Sequence, residues 1–188
     1  MRLRAVATAA TVALVLSGCM AASSRPPECE PSSAATILLA QSVPSATRVP
    51  CLRELPLGWR FGGMRVTDAG AEMWLSTNTG GVEAVTITFS ASCDVGDAEP
   101  VNPTLDEAGA DVFVDITSTD PVRGVRYRRF EGGCLTTRYA FPAGSPTTLV
   151  READEALSHV SRFRLVHHVS TDDGAILCGA DAPPCEDG

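Results

Sequence analysis

Apolar and polar residues alternate with a period of two through the middle of the chain, and helical spacing is confined to its flanks. Val82 to Ser92 alternates cleanly, with Val85, Ile87 and Phe89 on one face and Ala84, Thr86, Thr88 and Ser90 on the other. That is the pattern of a half-buried antiparallel strand. Asp111–Ser118 repeats it with Val112, Val114 and Ile116 on the core face, and Arg123–Phe130 repeats it with Val125 and Tyr127. Trp59–Thr67 is interrupted by Gly62-Gly63, which predicts a bulge or bend. Asp68-Ala69-Gly70 turns the chain into Ala71–Ser76, with Met73 and Leu75 facing one way, and Asn78–Gly81 turns it again. A polar loop with Pro100 and Pro103 follows Cys93, and Gly132-Gly133 leads into Leu135–Phe141.

On the flanks, Ser33–Gln41 reads as a short apolar helix with a Ser cap and a stop at Pro44. Ser145-Pro146 has the signature of a helix start, and the spacing of Leu149, Ala153, Ala156, Leu157 and Val160 carries one helix to about Arg162. Arg164–Val169 reads as helix. Strands grouped together with helices set apart predict an α+β fold. The expected form is a single antiparallel β-meander sheet of about six strands, with the C-terminal helix packed on one face and a short N-terminal helix.

The N-terminus changes the picture from fold to compartment. Arg2 and Arg4 precede an apolar run from Ala5 to Leu16, the charged and hydrophobic parts of an export signal. The run is short of the roughly 20 apolar residues that cross a bilayer. Its ending, Leu16-Ser17-Gly18-Cys19, resembles the lipobox of bacterial lipoproteins. The resemblance implies cleavage before Cys19 and diacylation of its thiol with palmitate-type chains. Two chains suffice for stable anchoring, at about 0.8 kcal/mol per buried methylene. The expected organisation is a signal peptide over 1–18, a lipidated cysteine and flexible Pro/Ser-rich tether over 19–32, and a disulfide-stapled domain over 33–188. The expected location is the extracytoplasmic face of the cell membrane.

Without residues 1–18 the chain holds 13 basic against 23 acidic residues, and every basic residue other than histidine is arginine. So acidic a chain argues against nucleic acid as partner, because phosphate binding needs clustered cations. With Cys19 acylated, six cysteines remain: Cys29, Cys51, Cys93, Cys134, Cys178 and Cys185. An even count in an oxidising compartment predicts three disulfides. Fifteen pairings are open, and proximity favours Cys29–Cys51, Cys93–Cys134 and Cys178–Cys185. One tension stands: Cys93 continues a core-facing row, whereas Cys134 heads the outward row of its strand.

Gln41–Ser45, Pro50-Cys51, Leu55-Pro56, Gly58-Trp59, Cys93-Asp94-Val95, Gly132-Gly133-Cys134, Leu177-Cys178-Gly179 and Pro184-Cys185 together resemble a group of uncharacterised exported proteins of high-GC Gram-positive bacteria, many of them membrane-anchored. The resemblance spans nearly the whole chain after Cys19. It implies the fold and the cysteine framework and brings no activity.

Candidate chemistry is sparse. Arg123, Arg126, Arg128 and Arg129 form the sharpest charge cluster, with Arg126 and Arg128 as possible anion contacts. Pairing Ser118 with Arg123 across a hairpin would instead set Asp115 opposite Arg126, a cross-strand pair contributing roughly 0.2–1 kcal/mol without a ligand. His167-His168 with Asp172-Asp173 suggests a metal or base site, but adjacent residues point to different sides of a helix or strand. His159 reads as a surface residue. Gly-x-Ser-x-Gly, Ser-x-x-Lys and glycine-rich phosphate loops are missing, and Cys/His spacings do not suit zinc. Neither a cofactor nor a metal is expected. Two Trp and two Tyr are few for a sugar-stacking groove, and Trp59 and Trp74 read as core or sheet-face residues. The leading expectation is a non-enzymatic binding module at the membrane's outer face, taking an envelope protein or an apolar lipid held between sheet and helix. The alternative is an envelope-metabolism enzyme with an Asp/Glu–His site.

Overall fold

The computed structural model describes residues 21–23, 25–172 and 175–185. The export signal and Cys19 lie outside the described residues.

The fold is α+β, with an antiparallel sheet, a second two-stranded sheet and three helices. In chain order the elements are β1 (Ala21–Ser23), α1 (Ala34–Ser42), β2 (Arg48–Leu52), β3 (Trp59–Thr67), β4 (Gly70–Thr77), β5 (Gly81–Ser90), β6 (Glu99–Val101), a 3-10 turn (Leu105–Glu107), β7 (Asp111–Thr119), β8 (Val122–Phe130), β9 (Gly133–Ala140), α2 (Thr148–Ala156), β10 (Leu157–Ser161) and α3 (Arg162–Asp172). The large sheet runs β1-β3-β4-β5-β9-β8-β7-β6, and β2 pairs with β10 in the small one.

The expected single six-stranded meander is therefore corrected. Two three-stranded meanders, β3-β4-β5 and β7-β8-β9, are joined where β5 pairs with β9 from Val85↔Tyr139 to Ser90↔Cys134. After β5 the chain crosses to the far edge, forms β6, and returns strand by strand. The bulge expected at Gly62-Gly63 appears as a register shift between Phe61 and Gly63. Part of the segment read as tether is ordered: Ala21–Ser23 pairs with β3, and Glu28 bridges to Leu52.

The long C-terminal helix is corrected too. α2 stops at Ala156, and Leu157–Ser161 runs as a strand against β2, from Leu157↔Leu52 to Ser161↔Arg48. Leu149, Ala153 and Ala156 are buried from the helix, and Leu157 and Val160 from the strand. Those five positions satisfied a helical period, yet a different element buries the last two. Beta-branched Val49 and Val160, both buried, suit the ribbon. Ser33 caps α1 as expected, its Oγ accepting from the Thr36 N–H. α2 starts two residues later than Pro146, because the Leu149 and Val150 N–H groups bond three residues back.

α1, the β2–β10 ribbon and α2 lie against one face of the large sheet. Leu39, Val43, Val49, Met64, Met73, Leu75, Val85, Ile87, Phe89, Phe141 and Leu165 have almost no exposed surface. Trp59 packs edge-on against Phe141 and donates from Nε1 to Glu152 Oε2 at 2.8 Å, docking α2 on β3.

Three disulfides staple the domain in the sequential pairing: Cys29–Cys51, Cys93–Cys134 and Cys178–Cys185. Their Cα separations of 5.0, 5.8 and 4.8 Å are ordinary for unforced bridges. The tension at Cys93 resolves simply. β5 ends at Ser90, so Cys93 lies beyond the alternating strand and reaches Cys134 from the outward side.

Arg162 is the largest fully buried side chain. Its Nη1 donates to the carbonyl of Ala40 at 2.7 Å and to that of Val43 at 3.4 Å, and its Nη2 donates to the carbonyl of Cys178. A cation thus closes the C-terminal end of α1, where unpaired carbonyls carry partial negative charge. The same side chain fixes the C-terminal disulfide loop to the body.

Candidate functional site

The arginine cluster divides between the two faces of the large sheet. On β8, Val122, Gly124, Arg126, Arg128 and Phe130 face the helical layer, while Arg123, Val125, Tyr127 and Arg129 face away. This reverses the expected core face of β8. The inward positions hold two cations because the layer above them supplies carboxylates.

Arg126 donates from Nε and Nη2 to both oxygens of Glu107, at 2.9 and 2.8 Å. Arg128 donates from Nε to Glu107 Oε1 at 2.6 Å, from Nη1 to Thr137 Oγ1 at 3.0 Å and from Nη2 to Asp154 Oδ1 at 2.6 Å. The Tyr139 hydroxyl donates to the same Asp154 oxygen at 2.6 Å. Glu107 belongs to the 3-10 turn and also accepts from the Thr104 N–H and hydroxyl. Burial alone would raise its pKa. The Arg126 hydrogen bond, the Thr104 N–H and the charges of Arg128 and Arg126 outweigh burial and hold it down at about 2. Burial and the neighbouring Asp154 carboxylate push Tyr139 well above its ordinary value.

The expected Asp115–Arg126 pair does not form. A bulge between Ile116 and Ser118 keeps Ser118 opposite Arg123 but places Asp115 opposite Val125 and Arg126 opposite Val114. One extra residue moves every later partner by one position and switches the face.

The arginine pair borders an open cleft of about 640 Å³ between the 3-10 turn and α2. Leu105, Val150 and Leu157 give it apolar walls. Its charged lining is Arg126, Arg128 and Arg151 against Asp106, Glu107, Asp154 and Glu155. Three cations facing four carboxylates offer an anion no net attraction, and both inward guanidiniums already hold carboxylates. The neighbouring pocket under the ribbon, lined by Phe130, Leu135 and Leu157 among others, has only about 30 Å³. That is room for a water or two and not for an acyl chain.

The histidines are spread over separate places. His159 on β10 lies with its Nε2 3.3 Å from Arg48 Nη1, and burial and the Arg48 charge lower its pKa. On α3, His168 pairs through Nδ1 with Asp172 one turn on, while His167 is exposed. Asp173 lies outside the described residues. Among the described residues, His, Cys, Asp and Glu form no group of three or more arranged to hold a metal ion.

Among the described residues, no second layer of helices or strands lies over the outward face of the large sheet. One row crosses it through Arg65, Glu72, Thr88, Thr136, Tyr127 and Phe113, and the next through Gly63, Trp74, Thr86, Arg138, Val125 and Asp115. Trp74, Phe113, Val125 and Tyr127 are half-buried, and Arg65, Glu72, Asp115 and Arg138 are exposed. Trp59 and Trp74 therefore occupy opposite faces, core and outer surface.

Glu107, Asp154 and Arg162 escaped the sequence reading. Thr104-Leu105-Asp106-Glu107 is a capping-box sequence and signals the first of them. The other two carry no local signal, because every one of these partners lies 15 or more residues away along the chain.

Among the described residues, fold and clefts together define an α+β domain with one layered face and one bare face on its main sheet. Compared with family profiles, with curated proteins and with solved structures, the chain matches none.

Proposed function

We propose that the chain is a lipid-anchored, extracytoplasmic binding domain that engages an envelope partner through the bare face of its large sheet. The observation that carries this reading is that face itself: three half-exposed aromatic side chains and several exposed arginines on a sheet whose other side carries the hydrophobic core. Rigid elements present a recognition surface at low entropic cost. The cleft beside Arg126 is charge-compensated, and the pocket under the ribbon is too small for a lipid, which favours the sheet over the groove. Three disulfides suit an oxidising compartment. Among the described residues no helix is long and apolar enough to cross a membrane, so attachment would rest on Cys19 and its lipobox-like context.

The two halves of the proposal are tested separately. Metabolic labelling with a fatty acid should mark the full chain and not Cys19→Ser, which should also leave the membrane fraction. A thiol placed on the bare face by Glu72→Cys should be less reactive in native envelopes than in the purified chain.

A further inference from the structure

The bare face has the opposite charge to the molecule that carries it. The whole chain has a formal charge of −8. Among the strand residues of this face, Arg60, Arg65, Arg123, Arg129 and Arg138 stand with Glu72, Asp111 and Asp115, five cations against three carboxylates. Arg129 is bridged to Asp111, and Arg123 is turned onto the carbonyls of Val122 and Phe141. Arg60, Arg65 and Arg138 make no ion pair among the described residues. Glu72 stands opposite Arg65 in the ladder, yet the Arg65 guanidinium lies 5.9 Å over the Trp74 ring instead.

The aromatic groups are placed as platforms. Gly62 and Gly63 leave room for the Trp74 indole to lie across the β3 backbone, where a Cβ at Gly62 would strike the ring. Tyr127 stands beside Phe113 in the next meander, with Thr88, Thr86 and Thr136 between the two aromatic groups. None of these three threonine hydroxyls makes a side-chain hydrogen bond among the described residues. Arg65 and Arg138 are three strand spacings apart, each about 4.8 Å.

Resting on the reading of this face as the binding face, we propose that its ligand is an acidic polysaccharide. Arg65 would swing from over the Trp74 ring to a carboxylate, sugar rings would lie on the freed indole and on Tyr127, Arg138 would take a second carboxylate, and ring hydroxyls would meet the threonines. A planar guanidinium is suited to a carboxylate in two-point contact. A protein partner is less well served, because the centre of a protein interface is apolar and the centre of this face is a group of threonines.

The test uses the full chain in detergent micelles, with its native disulfides, titrated with a hexamer of galacturonic acid. The fully methyl-esterified hexamer and hexaglutamate serve as comparisons. The acid hexamer should bind, change the emission of Trp74 and leave that of buried Trp59 unaltered, so that Trp74→Phe removes the change. The paired variant R65Q/R138Q, at exposed positions, should fold normally by circular dichroism and bind at least tenfold more weakly. Absence of binding by the acid hexamer, or equal binding of the esterified hexamer, would overturn the proposal. Equal binding of hexaglutamate would overturn it in favour of an acidic protein. If Glu72→Cys is nevertheless protected in native envelopes, the binding-face reading survives and only the ligand class falls.

Discussion

Arg128 on β8 and Asp154 on α2 meet at 2.6 Å across the boundary between sheet and helix, and the Tyr139 hydroxyl closes on the same carboxylate oxygen. With Glu107 on its other side, Arg128 is the post to which both the 3-10 turn and α2 are tied. Arginines that the sequence offered as possible anion contacts are thus spent on holding the layer to the sheet.

Asp154→Ala removes one acceptor and leaves a guanidinium that is 8% exposed and a phenol short of a partner. Breaking such a pair from one side should cost about 3 kcal/mol. Urea denaturation should show it as a lower midpoint at unchanged slope.

Glu107 gives the network a pH signature. Its folded pKa of about 2 lies below the ordinary 4.5. The unfolded chain therefore binds the proton first as pH falls, and the stabilisation is complete above about pH 5 and is lost on the way down to about pH 2. Glu107→Gln should remove that part of the acid sensitivity while lowering stability near neutrality. Thermal melts of both proteins between pH 2 and 7 would measure it.

Arg162→Met keeps the volume and removes the cation that closes α1. The carbonyls of Ala40 and Cys178 would lose the guanidinium donor, and that of Val43 would keep only the Ala46 N–H, at a cost of about 3 kcal/mol. Hydrogen exchange should show the loss first at the C-terminal end of α1 and in the 175–185 segment.

Gly132 has a φ of +69°, and a Cβ there would run into the Ser45 carbonyl oxygen. Its own carbonyl accepts from the Ser45 hydroxyl at 2.7 Å. Gly132→Ala should therefore destabilise by about 2 kcal/mol or more, through strain and through separation of the β8–β9 turn from the loop after α1. A matched Gly144→Ala, where nothing lies near the new Cβ, controls for the positive φ alone.

Much of the sheet was legible because Val85, Ile87 and Phe89 alternate with threonines and leave one register open. The disulfide pairing was legible from proximity along the chain. The β8 faces were not, since alternation assigns apolar residues inward and has no way to know that Arg126 and Arg128 meet Glu107 and Asp154 there. Leu157 and Val160 misled because a spacing of three shares one face of a helix, whereas in the ribbon they point to opposite sides and both are buried. The bulge after Ile116 was invisible locally, and with it went the Asp115–Arg126 pair. The bare face could be seen only once the strand order placed Trp74 and Arg138 in one row.

If the bare face is a recognition surface, its partner shields it from thiol reagents in the envelope. Glu72→Cys on that face and Glu155→Cys on the exposed side of α2 would each be reacted with a membrane-impermeant maleimide, in native envelopes and after purification. The account predicts that Cys at position 72 reacts several-fold more slowly in the envelope than in the purified chain, while position 155 reacts at the same rate in both. Equal rates at position 72 in the two preparations would contradict it.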